Sequence, residues 1–356
     1  MDELCLEMGL MQPELERYSK QILFAGLDEA KQRRLLDSKV LLCGCGALGT
    51  VLAETLTRAG VGMLRIVDRD FVDLSNLQRQ VLFDEQDVTD RTPKAIAAAD
   101  KLRRINSQIT IEPVVADIDH TNILGLTEGI DLILDGSDNF EVRFLINDAS
   151  LETGIPWIYA GVIGSHGQTM TIFPGKTACL RCLIESVPDP GSTETCDTAG
   201  VLGPAVNVIS SLEAINAIKI LSGQAELVSP KLTVIDVWDG TFRQMNLASL
   251  RENSQCPTCI GGERVWLSGK QGAQTTVLCG RNSVQVSPAQ KTTLAFDELA
   301  EKLRTAGKVT TNPYLLRLEL KNPDFDVTVF RDGRAIIQGT EDVGVARSVY
   351  SRYIGT

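Results

Sequence analysis

The residues best suited to chemistry in this 356-residue chain are two cysteine pairs and one glycine-rich turn. The pairs are Cys179-Leu180-Arg181-Cys182 and Cys256-Pro257-Thr258-Cys259. Together they offer the four soft ligands that a tetrahedral Zn²⁺ takes. A redox use of either pair is the alternative, but two pairs favour a closed, non-catalytic zinc site. The 73 residues between Cys182 and Cys256 are too many for a small finger, so the metal would staple the end of a domain onto its middle. The turn is Gly44-Cys45-Gly46-Ala47-Leu48-Gly49, after the apolar segment Lys39–Cys43 and before a helical pattern over Val51–Ala59. At a strand-to-helix junction this spacing aims backbone N–H groups and a helix N-terminus at phosphate. Asp68, 19 residues beyond Gly49, ends the next apolar strand, where a carboxylate can bond ribose; Asp70 lies two residues on and joins the same cofactor-binding set. On these features alone, an NAD-dependent oxidoreductase with an accessory zinc is the default.

The following residues change that balance. Ser75-Asn76-Leu77-Gln78-Arg79-Gln80 is a dense polar run, and Lys94 opens a helical pattern after Pro93. A dehydrogenase has no special need of Asn76, Gln78, Arg79 and Gln80 clustered there. Splitting ATP between its α- and β-phosphates does, because fixed cations and amide donors stabilise charge on both fragments. The plainer alternative makes Arg79 and Lys94 solvated surface groups. Asp135-Gly136-Ser137-Asp138-Asn139 follows a short apolar strand, at the sheet end that borders the ligand crevice. Asp138 is a candidate Mg²⁺ ligand; Asp138 or Asn139 can equally cap the helix that follows.

Taken in order, Arg17-Tyr18-Ser19-Lys20-Gln21, the Gly44–Gly49 turn, Ser75–Gln80, Asp135–Asn139 and both cysteine pairs resemble the MoeB/ThiF-type adenylyltransferases, relatives of ubiquitin-activating enzymes. The resemblance spans about residues 13–262. It implies adenylation of the C-terminal Gly-Gly carboxylate of a ubiquitin-like (β-grasp) sulfur-carrier protein, with Mg-ATP consumed and pyrophosphate released. It further implies that Asp68 binds ribose, that Asn76, Arg79 and Lys94 act on the phosphates, and that Asp138 holds magnesium. The family's R-Y-x-R-Q segment sends its second arginine into the partner subunit's ATP site. Lys20 stands at that position, keeping the charge but losing the planar fork; if it acts in trans, the enzyme is at least a homodimer. Thr195-Cys196-Asp197-Thr198-Ala199-Gly200-Val201 matches the segment whose cysteine forms a thioester or acyl-disulfide with the carrier. The alternative for Cys196 is a loop cysteine without required chemistry. A sulfur-donor protein is a possible second partner. Cys279 does not suit a rhodanese loop, since the residues after it read as a strand. The third alternative is a non-catalytic scaffold that binds a ubiquitin-like protein.

Bulk properties agree with a soluble enzyme. The chain is 43% hydrophobic and 23% charged, with a formal net charge of −11. Residues 265–356 carry 12 Lys/Arg and 9 Asp/Glu, a net +3, which leaves −14 on the rest. An acidic body excludes the basic footprint of a nucleic-acid binder. No apolar run is expected to span a membrane, and Met1-Asp2-Glu3-Leu4 lacks signal-peptide order. Nine cysteines, an odd number, with four in C-x-x-C pairs point to thiolates in the cytoplasm.

The elements that position these groups follow from periodicity. A helix is expected over 13–37 with Leu23, Phe24 and Leu27 on its apolar face. Strand, glycine turn, helix and strand then follow from Lys39 to Val67, with Gly60 as a helix stop. Further helices are predicted over Pro93–Asn106, Phe140–Glu152 and Val206–Leu221, and strands over Ile109–Val115, Ile130–Leu134, Trp157–Ala160, Gly167–Phe173, Leu232–Trp238 and Phe242–Leu247. Val187–Thr195 reads as an exposed loop. The fold class is α/β, a Rossmann-like, mainly parallel sheet with flanking helices and a zinc-stapled end, followed by a small α+β domain. The expected division is 1–264, the ATP-binding domain, and 265–356, a unit of unassigned role with strands at Thr275–Cys279, Tyr314–Leu320, Asp326–Arg331 and Ala335–Gln338.

Overall fold

The computed structural model describes residues 13–186, 199–269, 275–278, 282–287, 293–320 and 325–354. Cys5, Cys196, Cys279 and the 187–195 loop lie outside the described residues. The chain divides into two compact units, the first holding the described residues 13–186 and 201–269 and the second holding residues 199–200 and the described residues from 275 onward.

The first unit is built on eight strands: β1 Lys39–Cys43, β2 Met63–Val67, β3 Thr110–Val114, β4 Leu132–Asp135, β5 Trp157–Ile163, β6 His166–Ile172, β7 Lys231–Asp236 and β8 Thr241–Asn246. Their spatial order is β3-β2-β1-β4-β5-β6-β7-β8. The first five run parallel, and β6, β7 and β8 extend the sheet antiparallel. β1 and β4 are continuous apolar runs because parallel strands are covered on both faces. The order of strand addition reverses at β1, with β2 and β3 on one side and β4 and β5 on the other, and this switch point places a crevice beyond the C-terminal ends of these strands.

Helix Ala47–Ala59 begins directly at Gly46 and stops at Gly60, whose φ of 86° gives the left-handed cap. Helix Gly203–Leu221 packs along it and against β5 and β6. That helix is long and apolar enough to cross a membrane by length and composition, and longer than the sequence-based expectation allowed. It nevertheless carries a buried Glu213 within the fold.

Two expectations fail at surfaces. No single helix covers 13–37: a 3₁₀ turn, Pro13–Tyr18, leads to a four-residue helix, Ser19–Ile22, and a separate helix, Glu29–Asp37. Asp28 restarts the chain as an N-cap, accepting from the Lys31 N–H. Leu23 and Phe24 are 74% and 68% exposed, while Leu15, Tyr18 and Leu35 are buried instead. At β7 the strand ends at Asp236, whose carboxylate accepts the Trp238 N–H at 2.9 Å and folds a turn. Trp238 is therefore 79% exposed rather than a strand residue.

The second unit is an antiparallel sheet of order β11-β12-β13-β14-β10-β9. Its strands are β9 Thr275–Leu278, β10 Ser283–Val286, β11 Lys308–Thr311, β12 Leu315–Glu319, β13 Asp326–Phe330 and β14 Ala335–Gln338. Asp332-Gly333 makes the β13–β14 turn, with Gly333 at φ 86°. Helices Phe296–Leu303 and Val343–Tyr353 cover one face around Leu316, Leu318, Val327 and Ile337. The strand β11 was not anticipated from sequence.

Candidate nucleotide site and metal centre

The glycine turn leaves β1 and is closed by the loop that leaves β4. Gly44 has φ 95°, and a Cβ there would lie 2.6 Å from the Gly136 carbonyl oxygen. A Cβ on Gly49 would lie 2.2 Å from the Gly44 oxygen. Gly44, Gly49 and Gly136 thus meet backbone to backbone and fix the turn. Gly46 differs: its nearest neighbour to a built Cβ is the Gln80 Nε2, at 3.8 Å. The second glycine consequently opens onto free space bounded by Gln80. Gln80 is buried, and its Oε1 has no hydrogen-bond partner, an acceptor poised for a donor on a bound molecule. The turn thus offers open backbone at Gly46 and one unmet buried acceptor at Gln80, donor and acceptor chemistry that a phosphate-bearing nucleotide can match.

Asp68 and Asp70 brace the turn from β2. Asp68 accepts the Cys45 N–H at 2.6 Å and the Asp70 N–H at 2.7 Å. Burial pushes the Asp68 carboxyl up in pKa, opposed by the Lys94 ammonium. Lys94 is buried at the start of helix Lys94–Ile105 and pairs with Asp70 at 3.1 Å. It is not the solvated surface group of the plainer alternative. Asn76 is also buried; its Oδ1 accepts the Asp73 N–H at 3.2 Å in a reciprocal cap. Arg79 is half-buried and donates to the Ser75 carbonyl at 2.9 Å, with no ion pair among the described residues. Burial, then the charge of Asp68, push the Cys45 thiol up, which makes it a packing residue.

The loop after β4 resolves the competition between Asp138 and Asn139. Asn139 caps helix Phe140–Thr153 by accepting the Glu141 N–H at 2.8 Å. Asp138 is left exposed beside it, a hard carboxylate with no capping duty, which suits a water-rich Mg²⁺. Beneath lies a pair that sequence reasoning missed. Arg143 donates to Asp135 at 3.0 Å and to the Ser137 carbonyl at 2.7 Å. Its guanidinium also faces the rings of Phe140 and Tyr159. Burial pushes the Asp135 carboxyl up, against the pull of Arg143 and Ser137. Glu213 was missed as well. Both its oxygens are buried without partners, and burial together with the Asp135 charge pushes its carboxyl well up. The only sequence signal for either residue is a charge inside an otherwise apolar helical face.

The four C-x-x-C sulfurs converge. Cys179, Cys182, Cys256 and Cys259 have all their sulfurs within 4.8 Å of one another, with separations of 3.9, 3.7 and 3.4 Å for the pairs 179–182, 179–256 and 182–259. Zn–S bonds of about 2.3 Å in a tetrahedron put sulfurs about 3.8 Å apart, so the set fits zinc. With four protein ligands no open position remains, as for a structural site.

Other candidates stand apart. Lys20 is exposed and makes no side-chain hydrogen bond or ion pair with any described residue. Arg17 is tied to the Ile105 carbonyl at 2.8 Å. His166 pairs with Asp236 at 3.0 Å, holding the β5–β6 turn to the β7–β8 turn.

The chain matches the ThiF family over residues 18–258. It is 42% identical over 340 residues to the sulfur carrier protein ThiS adenylyltransferase of Bacillus subtilis, covering 95% of this chain and 99% of that protein. It is 38% identical to the molybdopterin-synthase adenylyltransferase of Escherichia coli, over 70% of this chain and 98% of that one. Among solved structures, E. coli MccB with ATP superposes with a TM-score of 0.58 at 25% identity, covering 65% of this chain and 72% of that chain.

Proposed function

Because the chain belongs to the ThiF family, we propose that it uses ATP to adenylate the C-terminal Gly-Gly carboxylate of a ubiquitin-like sulfur-carrier protein, releasing pyrophosphate. The observation that carries the proposal is the sealed glycine turn with Gly46 open beside the unpartnered Gln80 oxygen. A hydride-transferring oxidoreductase and an idle scaffold are not favoured. The match to the B. subtilis ThiS adenylyltransferase extends through the second unit, whereas the E. coli molybdopterin-synthase enzyme aligns over 251 residues. A ThiS-type carrier is accordingly the first to test.

In the reaction the carrier carboxylate attacks the α-phosphorus, the bond to the β-phosphate oxygen breaks, and pyrophosphate leaves. The nucleophile is already an anion, so positioning and charge stabilisation suffice without a general base. The Gly44–Gly49 turn, with Ala47 and Leu48 opening the helix, cradles phosphate. Asp68 retains unused lone pairs for a ribose hydroxyl while it holds the turn. Arg79 exchanges the Ser75 carbonyl for phosphate oxygens, and Asp70 holds Lys94 at the same edge. Asn76 supports the Ser75–Gln80 segment and Gln80 receives a donor from the nucleotide. Asp138 would hold Mg²⁺, which supplies neutralising charge to the phosphates. Lys20 completes the site of the other subunit of a homodimer, consistent with its having no side-chain partner among the described residues of its own subunit. Cys196 attacks the carbonyl of the acyl-adenylate, its thiol proton is lost and AMP leaves, so that the carrier is held as a thioester before a sulfur donor acts; the four thiolates would hold zinc and close the end of the unit. A four-thiolate centre suits a reducing, cytoplasmic setting.

The test is carrier-dependent exchange of labelled pyrophosphate into ATP by the purified full chain. Exchange with a ThiS-type carrier is expected; no exchange with any Gly-Gly-ended carrier, alongside intact ATP binding, overturns the proposal.

A further inference from the structure

Helix Phe140–Thr153 carries more than the loop at its N-terminus. Asn147 and Asp148, both fully buried, sit two turns along it. Asn147 Oδ1 accepts the Leu180 N–H at 2.9 Å, inside the first C-x-x-C turn. Asp148 Oδ2 accepts the Trp266 and Leu267 N–H groups at 2.9 and 3.3 Å, just after the second turn. Phe144 stacks near Trp266, with ring centroids 5.6 Å apart. One turn further, Glu152 pairs with Arg264 at 3.3 Å, and Arg264 donates to the Thr258 carbonyl at 2.9 Å, inside the second turn. One helix therefore holds both cysteine turns, which are 77 residues apart in sequence between Cys179 and Cys256. Burying an amide and a carboxylate is costly unless they organise something. Here they also leave Asn147 Nδ2 and Asp148 Oδ1 without partners. Packing alone would be served better by two apolar residues.

We propose that Asn147 and Asp148 are positioning residues for the four-thiolate centre, setting the separation of the two cysteine turns before metal binds. The proposal rests on the zinc assignment but not on adenylation. Without these two side chains the helix no longer holds either turn, the Arg181–Thr258 bond of 2.9 Å is left to tie the turns to each other, and zinc binding must supply the rest of the order. Groups beyond the direct ligands typically change metal affinity by about 10- to 100-fold when removed.

The experiment is chelator competition on the zinc-loaded full chain, with 4-(2-pyridylazo)resorcinol as the zinc acceptor. Asp148→Ala is expected to bind zinc about 10- to 100-fold more weakly than the unmodified chain. Asp148→Asn, which keeps an oxygen for Trp266 and Leu267, is expected to stay close to it. Asn147→Ala, which cuts only the hold on the Cys179 turn, is read in the same way should Asp148→Ala fail to fold. Unchanged zinc affinity in both alanine variants overturns the proposal, as does a chain that binds no zinc. So does equal loss in Asp148→Asn, or unfolding of both alanine variants that excess zinc does not restore. Pyrophosphate exchange, measured alongside, fails separately if adenylation is wrong.

Discussion

Replacing Arg143 by alanine tests how the nucleotide edge is held together. Arg143 and Asp135 are both buried, and their ion pair spans 3.0 Å. A second bond of 2.7 Å ties the guanidinium to the Ser137 carbonyl. Removing the arginine leaves Asp135 with the Ser137 hydroxyl and N–H as its remaining donors. Breaking a buried pair from one side costs about 3–5 kcal/mol, and contact with two rings belongs within that figure. At roughly 2–4 °C per kcal/mol for a unit of this size, Arg143→Ala should melt about 6–20 °C lower. Removing both charges, as in Asp135→Asn with Arg143→Met, should recover most of the loss, because the pair's desolvation cost vanishes with it. Thermal melts of the single and double variants measure this. Pyrophosphate exchange should fall more in Arg143→Ala than its folded fraction explains, since the Ser137–Asn139 loop loses its tether. A melting shift below about 2 °C would show that Arg143 is dispensable and that the loop is fixed by other contacts.

Three further outcomes are expected. Glu213 has a folded pKa above its unfolded value of about 4.3, so its neutral form contributes stability that is complete below that value and lost as pH rises toward the folded pKa. Glu213→Gln should match the parent near pH 4 and gain on it by about 1.4 kcal/mol per pH unit above; denaturant melts at several pH values check this, and a gap that does not change with pH refutes it. Arg79→Ala should lose at least about 100-fold in exchange rate with an unchanged melting temperature, and full activity would remove Arg79 from the phosphate set. Cys196→Ala should keep exchange but lose any covalent carrier adduct in non-reducing mass spectrometry; an adduct of undiminished yield clears that cysteine.

What the sequence disclosed was whatever depends on neighbours in the chain. The strand, glycine turn and helix from Lys39 to Ala59 are local, as are the spacing within each C-x-x-C pair and the stop at Gly60. Periodicity misled where a helical stripe had no surface to cover. Leu23, Phe24 and Leu27 are spaced for a helix, yet Asp28 offers a cap that starts a new one, and the first two residues are left in water. Asp138 and Asn139 were equivalent candidates because a cap is decided by backbone angles, and Asn139 alone accepts from Glu141. Gly136 was quoted only as part of a loop. Its importance comes from the pairing of β1 with β4, which puts it against Gly44.

The same limit explains why Asn147 and Asp148 were invisible. In sequence they are two polar residues in a helix, which normally mark a solvated face. Only tertiary structure puts Leu180 and Trp266 over them. This arrangement separates two demands on one helix. Its N-terminal end carries the Asp135–Asn139 loop, while its middle must hold two distant turns at sulfur-to-sulfur distances near 3.8 Å, about the tetrahedral spacing. A rigid rod satisfies both at once, and Arg143 near its start and Asp148 at its middle lock it by buried hydrogen bonds rather than apolar contact. Apolar packing tolerates small shifts, whereas a buried carboxylate loses its partners when displaced. Buried polar residues therefore occur where position, rather than stability alone, is at stake.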